Sequence, residues 1–266
     1  MKNRYKAMAV FAGATAAFAA FNKIVTHIAD EKTANHSGAR LKYNDLYFTW
    51  RYGKEKYIKC GGGEPLLLIH DAKTGHSLDD WEHIIELFKK HYTVYAVDLP
   101  GFGRSSKPAL TYSAYLYATF INNFIKQCVG EKTYVVADGG SAAFAAAGSV
   151  LKPALYKKMV LVWDKNERNR RMPLIKQRLR KWLARVIEIP VYGAFITNIL
   201  ALIKTAGGLC TAQYIGDRYV LIAALKNYLW VDINQLIKKI KIPVRMVKPE
   251  SVAGKPRQLY KFCREF

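Results

Sequence analysis

The sequence predicts an α/β fold: a mostly parallel central sheet with helices on both faces, a helical cap and an apolar N-terminal helix. Three observations predict it. Short apolar runs bounded by turns alternate with amphipathic helical stretches between Pro65 and Trp163, as in a parallel sheet covered on both sides. Beyond Trp163, Ile175 to Ile187 and Ile233 to Ile240 have helical spacing. Ala7 to Phe21 carries no charge and lacks the polar stripe of a surface helix.

The elements follow in chain order. Lys2, Arg4 and Lys6 precede the apolar run, and Ile24, Val25 and Ile28 extend it past Asn22 and Lys23. Helix over Ala7–Phe21 reaches about 22 Å, short of a hydrocarbon core of about 30 Å. Counting on to Ala29 makes it long enough, with Lys23 snorkelling to the interface. Residues 1–30 are therefore either an uncleaved single-pass anchor with an exported body or a signal segment whose cleavage leaves a secreted protein. Residues 31–40 are polar and read as a linker, and 41–164 as the core. Tyr47 to Lys59 alternates as a hairpin of two strands does. Pro65 to Ile69 is a strand buried on both faces. Asp79 to His91 is a helix with Trp81, Ile84, Ile85 and Phe88 on one side. Thr93 to Val97 is a strand. Tyr112 to Val129 is a helix with a Tyr117, Phe120, Ile121, Phe124, Ile125 stripe. Thr133 to Val136, Ser141 to Leu151 and Lys158 to Trp163 continue as strand, small-residue helix and strand.

Residues 165–240 read as a cap or lid. Lys165 to Arg185 holds nine Lys/Arg and one acid, Glu167. Within it Ile175, Leu179, Trp182, Leu183, Val186 and Ile187 recur at helical spacing, giving a basic amphipathic helix. It is either a lid packed on the core or an interfacial helix pressed on anionic lipid. Phe195 to Ile203 is a further apolar segment, Ile233 to Ile240 a helix, and Ile242 to Val247 a returning strand. The stretch from Lys238 to Phe266 carries nine Lys/Arg against two Glu, which predicts that residues 241–266 end in a solvated basic tail.

A formal charge of +22 implies attraction to anionic surfaces. The basic run lacks interleaved aromatics and no nucleic-acid motif is present, so specific nucleic-acid binding is not expected. Cys60, Cys128, Cys210 and Cys263 are scattered and the histidines are not clustered, which predicts no metal site, no cofactor and no disulfide framework.

From Pro65 to Val162 the order of motifs resembles the α/β-hydrolase family. The residues that carry it are Leu66-Leu67-Leu68-Ile69-His70-Asp71, Trp81 and Asp98-Leu99-Pro100-Gly101-Phe102-Gly103-Arg104-Ser105, followed by Lys107-Pro108. Ile240-Lys241-Ile242-Pro243-Val244 is similar to the strand that leaves the cap in that family. Within the family, the membrane-anchored hydrolases of anaerobic Gram-positive bacteria are the subgroup it resembles. The resemblance also implies a chain shortened after Phe266, since family members continue through another helix, strand and histidine-bearing loop.

What the resemblance implies about the site leaves alternatives open. The family's nucleophile sits on a strained strand-to-helix turn, G-x-S-x-G. In one register Gly139-Gly140-Ser141-Ala142-Ala143 is that elbow and Ser141 the nucleophile. In a second, Ala137-Asp138-Gly139-Gly140-Ser141 is a vestigial elbow with Gly139 at the nucleophile position. In a third, Asp138 is the nucleophile, against which stands the bulk of Val136. Oxyanion donors would be the backbone N–H groups of Ala72 and Ala142. Asp71 replaces the usual glycine, so it either opposes an oxyanion or turns away. All six histidines precede the elbow. His70 is the one placed near it, as base or as a tie for the loop after its strand. Glu250 stands where the family often has its acid, or is a solvated loop carboxylate.

Two functions follow. The first is hydrolysis of an ester or amide by Ser141, with the cap admitting a small apolar acyl substrate. The second is a catalytically inactive relative that uses its basic face on an anionic membrane or wall polymer. Oligomeric state is not legible.

Overall fold

The computed structural model describes residues 2–35, 43–73, 75–163, 174–205, 218–249 and 256–264. Strands β1 (Leu46–Trp50) and β2 (Gly53–Gly61) form the antiparallel hairpin. β3 (Glu64–Ile69), β4 (Tyr92–Val97), β5 (Thr133–Asp138), β6 (Tyr156–Val162) and β7 (Val244–Val247) are mutually parallel. The described strands make one seven-stranded sheet in the order β1-β2-β4-β3-β5-β6-β7. β3 lies between β4 and β5, so both its edges are paired, and the two cores cover both its faces. Leu66 to Ile69 are each at most 2% exposed, which is why the strand reads as a continuous apolar run.

Alternate strand residues feed two cores. Leu67, Ile69, Tyr95, Val97, Val135, Ala137, Met159 and Leu161 pack against α3 (Ala114–Phe124) and α4 (Gly140–Leu151). Leu66, Leu68, Val94, Ala96, Val136, Val160 and Val162 pack on the other face, against a 3-10 turn at Leu78–Trp81 and α2 (Glu82–Phe88). α3 starts at a Ser113 cap, whose hydroxyl accepts the Leu116 N–H at 3.2 Å, and continues into a π-turn at Ile125–Val129. The alanines of α4 let α3 approach, and Tyr117 stacks on Phe144 at 4.7 Å.

The loop after β4 is built around Asp98. Its carboxylate accepts the Leu78 N–H at 2.7 Å and the Arg104 N–H at 2.9 Å. Ser105 Oγ donates to the Asp98 carbonyl and accepts the Lys56 N–H. Gly103 has φ +48°, and a Cβ there would lie 2.3 Å from the Asp98 carboxyl carbon, so the glycine is required by the carboxylate it faces.

The cap comprises α5 (Leu174–Glu188), α6 (Tyr192–Thr205), α7 (Arg218–Leu225) and α8 (Ile233–Ile237). α7 has no counterpart in the sequence reading. It bridges cap and core, with Val220 against the Gly101 loop and Ile222 against Ala184 and Ile187 of α5.

The apolar residues of α5 divide: Ile187 is buried on α7, while Leu179, Trp182 and Leu183 face outward, as described below. Two expectations change. The polar segment after residue 30 continues the first helix: α1 runs Lys2–Asn35. The basic C-terminal stretch is not a solvated tail, because α9 (Pro256–Arg264) docks on the sheet. Leu259 is 2% exposed, Tyr260 meets Phe88 edge-on at 5.2 Å, and Arg245 donates to the Phe262 carbonyl. The charge count misled because the cations and the apolar residues of α9 occupy opposite sides of one helix.

Among the described residues one helix is long and apolar enough to cross a membrane, over Arg4–Val25, and a signal segment would pass the same test.

Candidate functional site

The turn from β5 into α4 is made at Gly139, which has φ 52° and ψ −126°. That conformation is costly for any residue with a Cβ. It identifies Gly139 as the apex of the strand-to-helix turn, with Asp138 before it and Gly140 opening the helix. Gly139 N–H donates to the Val162 carbonyl at 3.0 Å, tying the apex to β6.

Asp71 fills the space in front of this apex. A Cβ on Gly139 would lie 2.2 Å from the Asp71 carboxyl carbon. Asp71 Oδ1 accepts the Gly140 N–H at 2.6 Å, and Oδ2 pairs with Lys73 Nζ at 3.0 Å. The first N–H of α4 therefore already holds a carboxylate, as a helix N-terminus favours. Of the two alternatives raised for Asp71, the side chain is not turned away: it points at the donor and occupies it, where its charge opposes an oxyanion.

Ser141 is not at the apex. It lies in the first turn of α4, fully buried, and its Oγ donates to the His70 carbonyl at 2.5 Å. That hydroxyl closes a contact between α4 and the end of β3. The turn has the register with Gly139 at its apex, two residues before Ser141, because the strand ends at Asp138. The same shift moves the donor after the apex from Ala142 to Gly140. Ala142 is buried and its N–H donates to the Gly139 carbonyl within the turn. Ala72 lies on the loop after β3, partly buried against the first core.

His70 is fully buried beside the apex, but both ring nitrogens are engaged. Nε2 accepts the Leu99 N–H at 3.1 Å, so the neutral ring donates from Nδ1 to the Asp71 carbonyl at 2.8 Å. Burial pushes its pKa below the ordinary histidine value. Phe102 meets the ring edge-on at 5.3 Å. Of the two roles left open for His70, that of a base meets a ring without a free nitrogen. Its geometry is that of a tie between the loops after β3 and β4. Glu250 lies outside the described residues.

Around Asp71 the structure gathers Asp138, the nucleophile of the third register, together with His76 and Asp80, which motif reading did not single out. Burial, then the neighbouring Asp71 carboxylate, raises the Asp138 carboxyl to about 6. His76 Nδ1 pairs with Asp80 Oδ2 at 2.8 Å, which raises the His76 pKa. The sequence signal available for this cluster was the run of charged and titratable residues from Asp71 to Asp80. Among the described residues no group of three or more His, Cys, Asp or Glu is arranged to hold a metal. Cys60, Cys128 and Cys263 are free thiols.

The cap leaves a cleft of about 220 Å³ lined by Leu110, Tyr219, Ile222 and Tyr228 among others. Neither Asp71 nor any residue of the β5–α4 turn lines it. Pockets for drug-sized ligands are usually about 300–1,000 Å³.

Comparison with known proteins agrees with this architecture. Residues 65–162 match the alpha/beta hydrolase fold family. A 2-hydroxy-6-oxo-6-(2'-aminophenyl)hexa-2,4-dienoic acid hydrolase of Metapseudomonas resinovorans is 31% identical over 109 residues, 40% of this chain and 38% of that protein. A soluble epoxide hydrolase of Corynebacterium sp. (strain C12) is 32% identical over 90 residues, 33% of this chain and 31% of that protein. The chain thus spans well under half the length of these curated relatives. Among solved structures, a membrane phospholipase A described as a bacterial virulence factor superposes with a TM-score of 0.56 at 20% identity, over 93% of this chain and 82% of that one. The likeness at that identity is one of fold.

Proposed function

We propose that this chain with the α/β-hydrolase fold is a non-catalytic relative, held by α1 at a membrane, that uses the fold to present a basic surface to anionic lipid. One observation carries the reading: the apex residue is Gly139, and the Asp71 carboxylate takes the Gly140 N–H in front of it. A serine-type acyl transfer needs a hydroxyl at the apex, a base to activate it and free backbone donors for the oxyanion. Gly139 supplies no side chain. The Gly140 donor is engaged by a carboxylate whose charge would oppose a second negative oxygen. His70 has both nitrogens engaged, and the Ser141 hydroxyl is buried on a carbonyl. The small apolar ester that the family resemblance suggested therefore meets no nucleophile at the apex.

Support for the membrane comes from Arg4–Val25, a helix of spanning length of which only 6% of the most apolar stretch is covered by protein, and from the +22 formal charge. Membership of the membrane-anchored hydrolases of anaerobic Gram-positive bacteria is part of the same proposal. Turnover of a short-chain p-nitrophenyl ester tests the catalytic half. Wild type and Ser141→Ala are expected to be equally silent. Turnover by wild type that Ser141→Ala abolishes would overturn it.

A further inference from the structure

The exposed face of α5 is the wrong one for a lid. Leu179, Trp182, Leu183 and Val186 recur at i, i+3, i+4 and i+7, so they share one side of the helix. Leu179 is 54% exposed, Trp182 58% and Leu183 36%, while Ala184 and Ile187, on another side, are buried against α7. The helix meets the protein through its smaller apolar surface and offers the larger one outward. Arg178 and Arg185 lie along one edge of that outward stripe, Lys181 lies further round the same side, and all three are exposed. The one acid of α5, Glu188, is held by Lys226. An outward apolar stripe with a tryptophan, bordered by cations, has the chemistry of a helix lying at a lipid–water interface.

A second observation points to the same partner. α1 is not a free tether. Phe18 and Phe21 pack on Phe195 of α6 at 4.3 and 5.1 Å. Thr15 Oγ1 and Tyr192 OH are 2.8 Å apart. Asn22 Nδ2 donates to the Val191 carbonyl at 2.9 Å, and Asn198 Nδ2 donates to Asn22 Oδ1 at 3.0 Å. α6 is in turn locked to α5, since a Cβ on Gly193 would lie 1.9 Å from the Ile187 carbonyl oxygen. The apolar N-terminal helix and the outward stripe of α5 thus belong to one packed unit.

Resting on the membrane-attached reading above, we propose that α5 is the lipid-reading element of the protein. Leu179, Trp182 and Leu183 insert at the acyl boundary of an anionic phospholipid bilayer. Arg178, Lys181 and Arg185 contact its phosphates, and α6 packed on α1 holds the cap against the surface. An anionic wall polymer would meet the cations but would not take up the apolar stripe, so the bilayer is the partner both features fit.

The test uses the full chain reconstituted into phosphatidylcholine vesicles with or without phosphatidylglycerol, their acyl chains brominated to quench tryptophan on contact. Trp50, Trp81 and Trp163 are buried and Trp230 is half-exposed, so Trp182 is read as the difference between wild type and Trp182→Phe. The proposal expects quenching in phosphatidylglycerol vesicles that is mostly lost in Trp182→Phe and in Arg178→Glu/Lys181→Glu/Arg185→Glu. All the substituted side chains are exposed, and unchanged circular dichroism confirms that each variant is folded. Equal quenching of wild type and Trp182→Phe, or quenching indifferent to phosphatidylglycerol, would overturn it. If the protein still floats with vesicles while Trp182 is unquenched, the proposal fails and attachment through α1 stands. Ester turnover, scored separately, decides the non-catalytic reading.

Discussion

The Asp71 carboxylate accepts the Gly140 N–H at 2.6 Å and stands where any side chain on Gly139 would have to go. The two positions are therefore coupled: the carboxylate requires a glycine at the apex, and the glycine leaves room for the carboxylate. Gly139→Ala is expected to destabilise the fold by roughly 2–4 kcal/mol, from backbone strain and the clash with Asp71. Asp71→Gly removes a charge-assisted hydrogen bond and is expected to cost about 1–3 kcal/mol. In the double variant the clash is absent, so the combined loss should fall short of the sum by about 1 kcal/mol or more. Thermal melts of the four proteins check this, and strict additivity would separate the two residues.

Glu55 predicts a pH dependence of stability. The side chain is wholly buried and neither carboxyl oxygen has a hydrogen-bond partner among the described residues. Burial raises its pKa to about 7, against the partial relief of the Lys107 charge. The folded state therefore keeps a proton that the unfolded chain has lost. This contribution is complete below the ordinary glutamate pKa and disappears as pH rises to about 7. Asp138, raised to about 6, acts in the same sense over a lower window. Glu55→Gln should remove the loss attributable to Glu55, on the order of 1–3 kcal/mol between the two ends of the window. Stability curves for wild type and Glu55→Gln that stay parallel from pH 4 to 8 would contradict the assignment.

The Asn22–Asn198 contact joins α1 to the cap through two amides. Asn198→Leu removes the donor to Asn22 Oδ1 while Asn22 Nδ2 keeps the Val191 carbonyl, Asn22→Leu removes both bonds, and the double replacement removes both amides. A double-mutant cycle on thermal stability in detergent is expected to show a coupling of about 0.5–1.5 kcal/mol. A coupling indistinguishable from zero would mean that α1 is not docked on α6.

Much of the architecture was legible because its physics is local. β3, covered on both sides, had to read as an unbroken apolar run, and α3 had to carry one apolar stripe. The Asp98 loop was legible as a motif, and its reason is now visible in the carboxylate that organises it. The site was less legible because its decisive facts are conformational. Gly139-Gly140-Ser141 supports two registers, and only the positive φ at Gly139 selects between them. Asp71 was noticed as a departure from glycine, yet its partner lies 69 residues away on another element. The outward stripe of α5 has the same periodicity as an inward one, so burial alone decides its direction. α9 was obscured because a charge count does not record which side of a helix the charges occupy.

The central claim, that no nucleophile stands at the β5–α4 apex, is tested most directly by covalent capture. The folded full chain is treated with a fluorophosphonate, which reacts with activated serine hydroxyls, and its intact mass is measured. The account predicts an unchanged mass, because Gly139 has no side chain and the Ser141 hydroxyl is buried on the His70 carbonyl. A single stoichiometric adduct that maps to Ser141 and is lost in Ser141→Ala would contradict it.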